Sequence, residues 1–389
     1  MSKRWKVVIV GGGFGGLCAA RALKSAAVEV KLIDRRNYHL FQPLLYQVAT
    51  GSLSGGEIAG PLRSVLSRQK NTQILLGQVN DVDPESKCVL LADGASFEYD
   101  SLIVAAGSES TYYGHESWGE WAPNLKSLEE AAIIRDKVLY AFEAAERTSD
   151  PAERRAWLTF VIAGAGAAGV ELAGAIGELA REMLKNDFRS IRQGEAQIIL
   201  IDGAPRILMS FPEDLARKAE RSLGKLGVQV KASAIVKDID KEGVTIELSN
   251  RSDRIAAKTA IWAGGVTAQA LGKTLASRTR AETDKGGRIK VSPHLTLANY
   301  PDIYVVGDLA LSFNAQGKPL PGLAQVAMQQ GTYAAKAIVK KYRANRSRSP
   351  LNILTRAIWL SSAGGRRWLK SSASNFPASW LGSSGCSST

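Results

Sequence analysis

Cysteine and histidine are scarce in this chain of 389 residues, with three of each. Cys18, Cys88 and Cys386 lie far apart with no C-x-x-C pair among them, and His39, His115 and His294 are scattered. That spacing excludes a disulfide framework, a redox dithiol and a zinc site built on thiolates or clustered histidines. Long hydrophobic runs are lacking too. No stretch reaches the roughly 18 apolar residues of a membrane-spanning helix, and no charged start leads into an apolar run. The expectation is a cytoplasmic protein whose membrane contact is peripheral. Acidic residues stop at Asp308. Beyond it stand only Lys318, Lys336, Lys340, Lys341, Arg343, Arg346, Arg348, Arg356, Arg366, Arg367 and Lys370, so most of the net charge of +13 is C-terminal. A basic end suits an anionic membrane surface or a solvated tail. Without basic and aromatic residues interleaved on a recognisable module, nucleic acid is not an expected partner.

The remaining composition, 45% hydrophobic and 22% charged, is that of a globular chain with two or three domains. Its first segment, Lys6 to Val10, reads as a buried parallel strand. Gly11, Gly12, Gly13, Phe14, Gly15 and Gly16 follow, then a helical pattern from Leu17 to Leu23. Strand, G-x-G-x-x-G and helix together make a pyrophosphate cradle, because glycines let the backbone approach the phosphates and the helix start offers free N–H groups. The next strand, Val28 to Ile33, leads into Asp34, 23 residues beyond Gly11. A carboxylate there accepts hydrogen bonds from ribose hydroxyls.

The pattern returns. Thr159 to Ala163 read as a strand, Gly164, Gly166 and Gly169 are the spaced glycines, Val170 to Leu179 continue as a helix, and the strand Gln197 to Ile201 ends at Asp202. Glu171 is expected in the first turn of this helix, where the dipole favours a carboxylate whatever its chemistry. The fold expected is α/β, with two Rossmann-like dinucleotide-binding domains, the second inserted in the first. The boundaries read are 1–154 and 271–349 for the first domain, 155–270 for the second, and 350–389 for an atypical tail.

Two dinucleotide sites in one chain imply hydride transfer between a nicotinamide and a flavin. By similarity to two-dinucleotide flavoproteins the N-terminal unit takes FAD and the inserted unit NADH. Two further strands fit the flavin unit. One is Y-D-S-L-I-V-A-A-G-S, which carries Ala106 and Gly107, and the other is I-Y-V-V-G-D, which ends in Gly307 and Asp308. Asp202 beside a ribose 2′-hydroxyl repels the extra phosphate of NADPH, although Arg206 lies nearby.

Both glycine loops, F-Q-P-L-L-Y-Q-V-A-T-G from Phe41, G-V-E-L-A-G from Gly169, W-A-G-G-V from Trp262 and A-Q-V-A-M-Q-Q from Ala324 together resemble the type II, non-proton-pumping NADH:quinone oxidoreductases over about residues 5–350. The resemblance implies FAD contacts at Gly11, Gly13, Gly16, Asp34, Arg35, Thr50, Val79 and Asp308. It implies NADH contacts at Gly166, Gly169, Asp202 and Gly265. It sets Ala324, Gln325 and Gln329 beside flavin and quinone, and Glu171 near the stacked rings as an orienting or proton-relaying carboxylate. The implied partner is a quinone at the cytoplasmic face of the inner or plasma membrane, with a homodimer as the assembly considered. Readings left open are a soluble NADH diaphorase or ferredoxin-reductase-like enzyme, and a non-catalytic NADH-binding flavoprotein.

After Pro350 the resemblance stops. The tail L-N-I-L-T-R-A-I-W-L-S-S-A-G-G is unlike the family's amphipathic C-terminal segments. Restoring one base ahead of permitted codons for Leu351 to Ser362 lets the neighbouring frame read F-K-Y-F-D-K-G-N-L-A-V-I-G, which resembles them. The expectation is a one-base deletion near codon 350 and a weakened membrane attachment, which resequencing tests.

Overall fold

Four consecutive apolar residues that are all buried, Val7 to Val10, mark a strand covered on both faces, as the centre of a parallel sheet requires. In the computed structural model, which describes residues 4–192 and 194–344, that strand is Trp5–Val10. It pairs in parallel with Val28–Asp34 on one side and Ser101–Val104 on the other. Thr72–Leu76 and Ile303–Val305 extend the sheet to five strands. The last of these comes from more than 190 residues downstream, so the first unit is completed only after the chain has built the second.

The second parallel sheet repeats the plan with four strands. Thr159–Ala163 lies between Gln197–Ile201 and Thr259–Trp262, and Val228–Lys231 sits at the edge. Each glycine-loop strand is therefore interior to its sheet, and each loop opens at the carboxyl ends of the strands, where ligands of open α/β sheets bind. The mixed α/β class with two Rossmann-like sheets agrees with the sequence reading. Two three-stranded antiparallel sheets, starting at Val79 and Ala234, flank them.

Several boundaries shift. The first helix is Phe14–Ala22, and the second runs Ala167–Asn186, three residues earlier at its start than the apolar pattern suggested. Glu171 therefore stands in the second turn, and the first turn holds no acidic residue. The dipole explanation for a carboxylate at this position is overturned, since the field fades beyond the first turn. The helix Leu128–Arg147 starts on Ser127, whose hydroxyl accepts from Glu130 N (3.2 Å). Tail residues 350–389, and with them the frame-shift reading and Cys386, lie outside the described residues.

Candidate functional site

The two cradles share a hydrogen-bond scheme. Gly11 N donates to Ile33 O (2.8 Å) and Gly164 N to Ile201 O (2.7 Å). Gly12 N donates to Asp34 Oδ2 (2.5 Å) and Arg36 N to Asp34 Oδ1 (2.6 Å). In the second unit Ala165 N donates to Asp202 Oδ2 (2.6 Å) and Ala204 N to Asp202 Oδ1 (2.7 Å). Each carboxylate thus ties the glycine turn to the next strand and keeps further lone pairs for a ligand. Burial raises the Asp34 pKa, against the lowering effect of those two N–H groups.

The spaced glycines divide into two kinds. A side chain on Gly16 would overlap the carbonyl oxygen of Gly11, and one on Gly169 that of Gly164. These positions are fixed by the protein's own packing. Gly13 and Gly166, the middle glycines, would meet nothing within 4 Å. Nothing in the protein requires glycine there, so the free space over the loop is what a close-approaching pyrophosphate fits.

Around the first loop, Gly11, Asp34, Arg35, Val79 and Ala106 line one groove, which Gln78, Asn80 and Thr274 also line. Phe14 and Gly15 are the first helical residues above it, and Arg35 is exposed. Thr50 lies apart, buried at the end of the helix Leu45–Ala49, with its hydroxyl donating to Tyr46 O (3.0 Å). Around the second loop, Gly164, Asp202 and Gly265 line a cleft with Tyr112, Tyr113, His115, Trp118 and Ile235. The His115 and Trp118 rings stack at 4.2 Å. These aromatics went unassigned from the sequence; their signal was the density of rings in T-Y-Y-G-H-E-S-W. Arg206 is committed to its own loop, donating to the carbonyls of Ile207, Leu208, Met209 and Phe211 (2.9–3.2 Å).

Gly107 and Asp308 each lie three residues past the ends of neighbouring strands, and Ser108 Oγ donates to Asp308 Oδ2 (2.7 Å). The helix Ala324–Ala344 begins beside them, with Gln325 and Gln329 both exposed and Gln329 Nε2 donating to Gln325 O (3.2 Å). The buried member of this segment is Gln330. Its Oε1 accepts from Gly307 N (2.7 Å) and its Nε2 donates to Ser312 Oγ (2.8 Å), which fixes the turn that presents Asp308. Sequence reasoning passed over Gln330 because it followed the A-Q-x-x-x-Q pair of the family resemblance, which ends at Gln329.

Glu171 is partly buried, and desolvation pushes its pKa up to about 7. Its helix packs on Leu45–Ala49, whose buried Tyr46 is raised to about 12 by burial and then by the Glu171 charge. Gln47 Nε2 donates to Tyr46 Oη (3.1 Å). A carboxyl poised near neutrality is suited to general acid and base work.

Residues 5–331 match the family model for pyridine nucleotide-disulphide oxidoreductases. The chain is 47% identical over 340 residues to the type II NADH:quinone oxidoreductase Ndh of Mycobacterium tuberculosis, covering 86% of this chain and 72% of that protein. The chain belongs to the type II NADH:quinone oxidoreductases. NdhA, a type II NADH:quinone oxidoreductase of the same organism, is 44% identical over 347 residues, covering 88% of this chain and 73% of that protein. In structure, this type II oxidoreductase chain superposes on NDH2 from Plasmodium falciparum, solved in complex with NADH, with a TM-score of 0.79 at 20% identity over 88% and 85% of the two chains. The sulfide:quinone oxidoreductase of Aquifex aeolicus shares the fold at 0.71 and 19%, over 88% and 78%. Disulphide chemistry has no counterpart among the described residues, where Cys18 and Cys88 are both free.

Proposed function

We propose that this chain takes a hydride from NADH and passes the electrons through FAD to a quinone. The observation that carries the reading is the duplicated cradle, each copy with a middle glycine facing open space and a carboxylate anchored at the next strand end. FAD, when bound, supplies the two-electron chemistry, accepting hydride and handing electrons to the quinone. The protein supplies alignment, and holding the reacting rings in register accounts for much of such a rate.

Gly11, Gly13, Phe14, Gly15 and Gly16 would hold the FAD pyrophosphate, with Asp34 on the adenosine ribose and Arg35, Val79 and Ala106 along the same groove. Gly107, Gly307 and Asp308, with Thr50, Ala324 and Gln325, would hold the flavin end. Gly164, Gly166, Gly169 and Gly265 would seat NADH, with Asp202 on its adenosine ribose. A phosphate on the 2′-oxygen would meet the Asp202 carboxylate with Arg206 already satisfied by four carbonyls, which favours NADH over NADPH. Glu171, with Tyr46 behind it, would exchange the protons that quinone reduction consumes. Gln325 and Gln329 offer exposed amides toward the quinone.

The eleven cations after Asp308 support attachment to an anionic membrane surface at its cytoplasmic face. Such binding is electrostatic, so co-sedimentation with anionic vesicles is expected to fall as salt rises. No described helix is long and apolar enough to cross a membrane. A homodimer is read by light scattering.

The test of the reaction is NADH-driven reduction of a short-chain quinone by the purified chain with FAD, using NADPH as comparison. Quinone turnover with NADH preferred is the expected result. Flavin reduction without quinone turnover would leave the diaphorase reading, and no flavin reduction by NADH would overturn the assignment.

A further inference from the structure

One half-buried cation, Lys126, links the two units and has no part in the hydride or proton steps. Lys126 lies on the segment that ends in the N-cap Ser127, and Pro123 O on the same segment accepts from Trp262 N (3.0 Å) of the second sheet. Lys126 is thus held from the nicotinamide side. Its ammonium nevertheless reaches the flavin side, donating to Ser108 Oγ (3.0 Å). Since Ser108 gives its one hydroxyl proton to Asp308 Oδ2 (2.7 Å), it accepts from Lys126, and the donors run in one direction from Lys126 through Ser108 to Asp308. The carboxylates facing Lys126 are Asp308 and Glu130, and Glu130 Oε2 also accepts from Lys126 N (3.3 Å). Burial works against the charge of this lysine.

We propose that Lys126 is an electrostatic positioning residue of the flavin site: through Ser108 it fixes the Asp308 carboxylate, and its charge favours the reduced over the oxidised flavin. The inference rests on the reading of Asp308 as a flavin contact. Hydride transfer from NADH, which leaves as NAD+, adds two electrons and one proton to the flavin side, hence one negative charge. A partly desolvated ammonium beside that charge stabilises the product side of the step more than it would in water.

The test uses the full chain with FAD bound and compares Lys126→Met, which keeps the stem and removes the charge, with Lys126→Arg, which keeps the charge. The readouts are flavin content and the flavin midpoint potential. Lys126→Met is expected to lower the ratio of reduced to oxidised flavin about tenfold at a fixed potential, a shift of about 30 mV for a two-electron couple, and Lys126→Arg to restore most of it. If Lys126→Met sheds its flavin, retention of flavin by Lys126→Arg at near wild-type potential supports the charge role. Equal flavin loss in both variants overturns the proposal, because shape and not charge would then matter. So does a Lys126→Met holoenzyme whose potential is unmoved. Failure of the wild-type chain to hold FAD or to be reduced by NADH would instead sink the functional reading, and the two failures are distinct.

Discussion

Exchanging glycine for alanine at two positions of one loop separates what the ligand needs from what the fold needs. At Gly13 the backbone has φ −68° and ψ −166°, which alanine adopts freely, and the added methyl meets nothing within 4 Å. Stability of the apoprotein is expected to change by no more than about 1 kcal/mol, the usual difference between residues at an N-cap. The methyl does occupy the space over the helix start, so a pyrophosphate must retreat from the loop. Losing one charge-assisted hydrogen bond costs about 1.5–3 kcal/mol, which at about 1.4 kcal/mol per decade is a tenfold to hundredfold weaker FAD complex. At Gly16 the methyl overlaps the Gly11 carbonyl oxygen and lies 3.0 Å from its carbon, and Ile9 Cγ2 stands 3.2 Å away. Backbone on one side and a core strand on the other leave no room, so Gly16→Ala is expected to destabilise the apoprotein by about 3 kcal/mol or more, at or beyond the upper end of overpacking costs. Thermal unfolding of both apoproteins by circular dichroism, with FAD titrated by flavin fluorescence quenching, measures the two effects separately. Gly13→Ala binding FAD within twofold of wild type would refute the reasoning. Equal unfolding midpoints for the two variants would refute it also. Gly166→Ala and Gly169→Ala should repeat the contrast for NADH.

Glu171 carries a pH signature. Its folded-state pKa near 7 exceeds the ordinary 4.5, so the folded chain binds this proton more tightly than the unfolded one. The contribution is fully present below about 4.5 and is lost as pH rises to about 7, on the order of 2–3 kcal/mol over that window. Comparing urea unfolding of wild type and Glu171→Gln between those limits checks it; a parallel pH dependence in the variant would count against the assignment. Asp202→Ser should raise the NADPH to NADH ratio of kcat/KM by about tenfold, a change of about 1.4 kcal/mol from removing one repulsive charge; an unchanged ratio in steady-state assays would remove Asp202 from the ribose. Gln330→Leu leaves Gly307 N and Ser312 Oγ without their partner. The expected cost is about 2–4 kcal/mol in urea unfolding, with faster loss of FAD on dialysis. Retention of flavin at wild-type rates would show that Gln330 does not hold the turn at Asp308.

Both cradles were legible in the sequence because each is local. Strand, glycine spacing, helix and acidic residue lie within about 40 residues, and every requirement is a backbone one: a turn that only glycine makes, an approach that a Cβ would block, an apolar run covered on both faces. The strands Thr159–Ala163 and Gln197–Ile201 were read to the residue for that reason. The start of the second helix was not, because its first turn, A-A-G, carries no apolar period and no capping side chain to announce it. The family too was within reach of the sequence, since its motifs are short and ordered along the chain.

What the tertiary structure alone decided concerns side chains brought together from afar. Ser108 and Asp308 are 200 positions apart, and Lys126 joins them from a segment tied to the other sheet. Gln330 rather than Gln329 turns inward, and Tyr46 comes to face Glu171 only because two helices cross. Arg206 lies near Asp202 along the chain, but only the fold commits it to four carbonyl partners. Backbone geometry writes a periodic, local signature into a sequence. A long-range hydrogen bond or a desolvated charge leaves none, because its partner is chosen by packing and not by spacing.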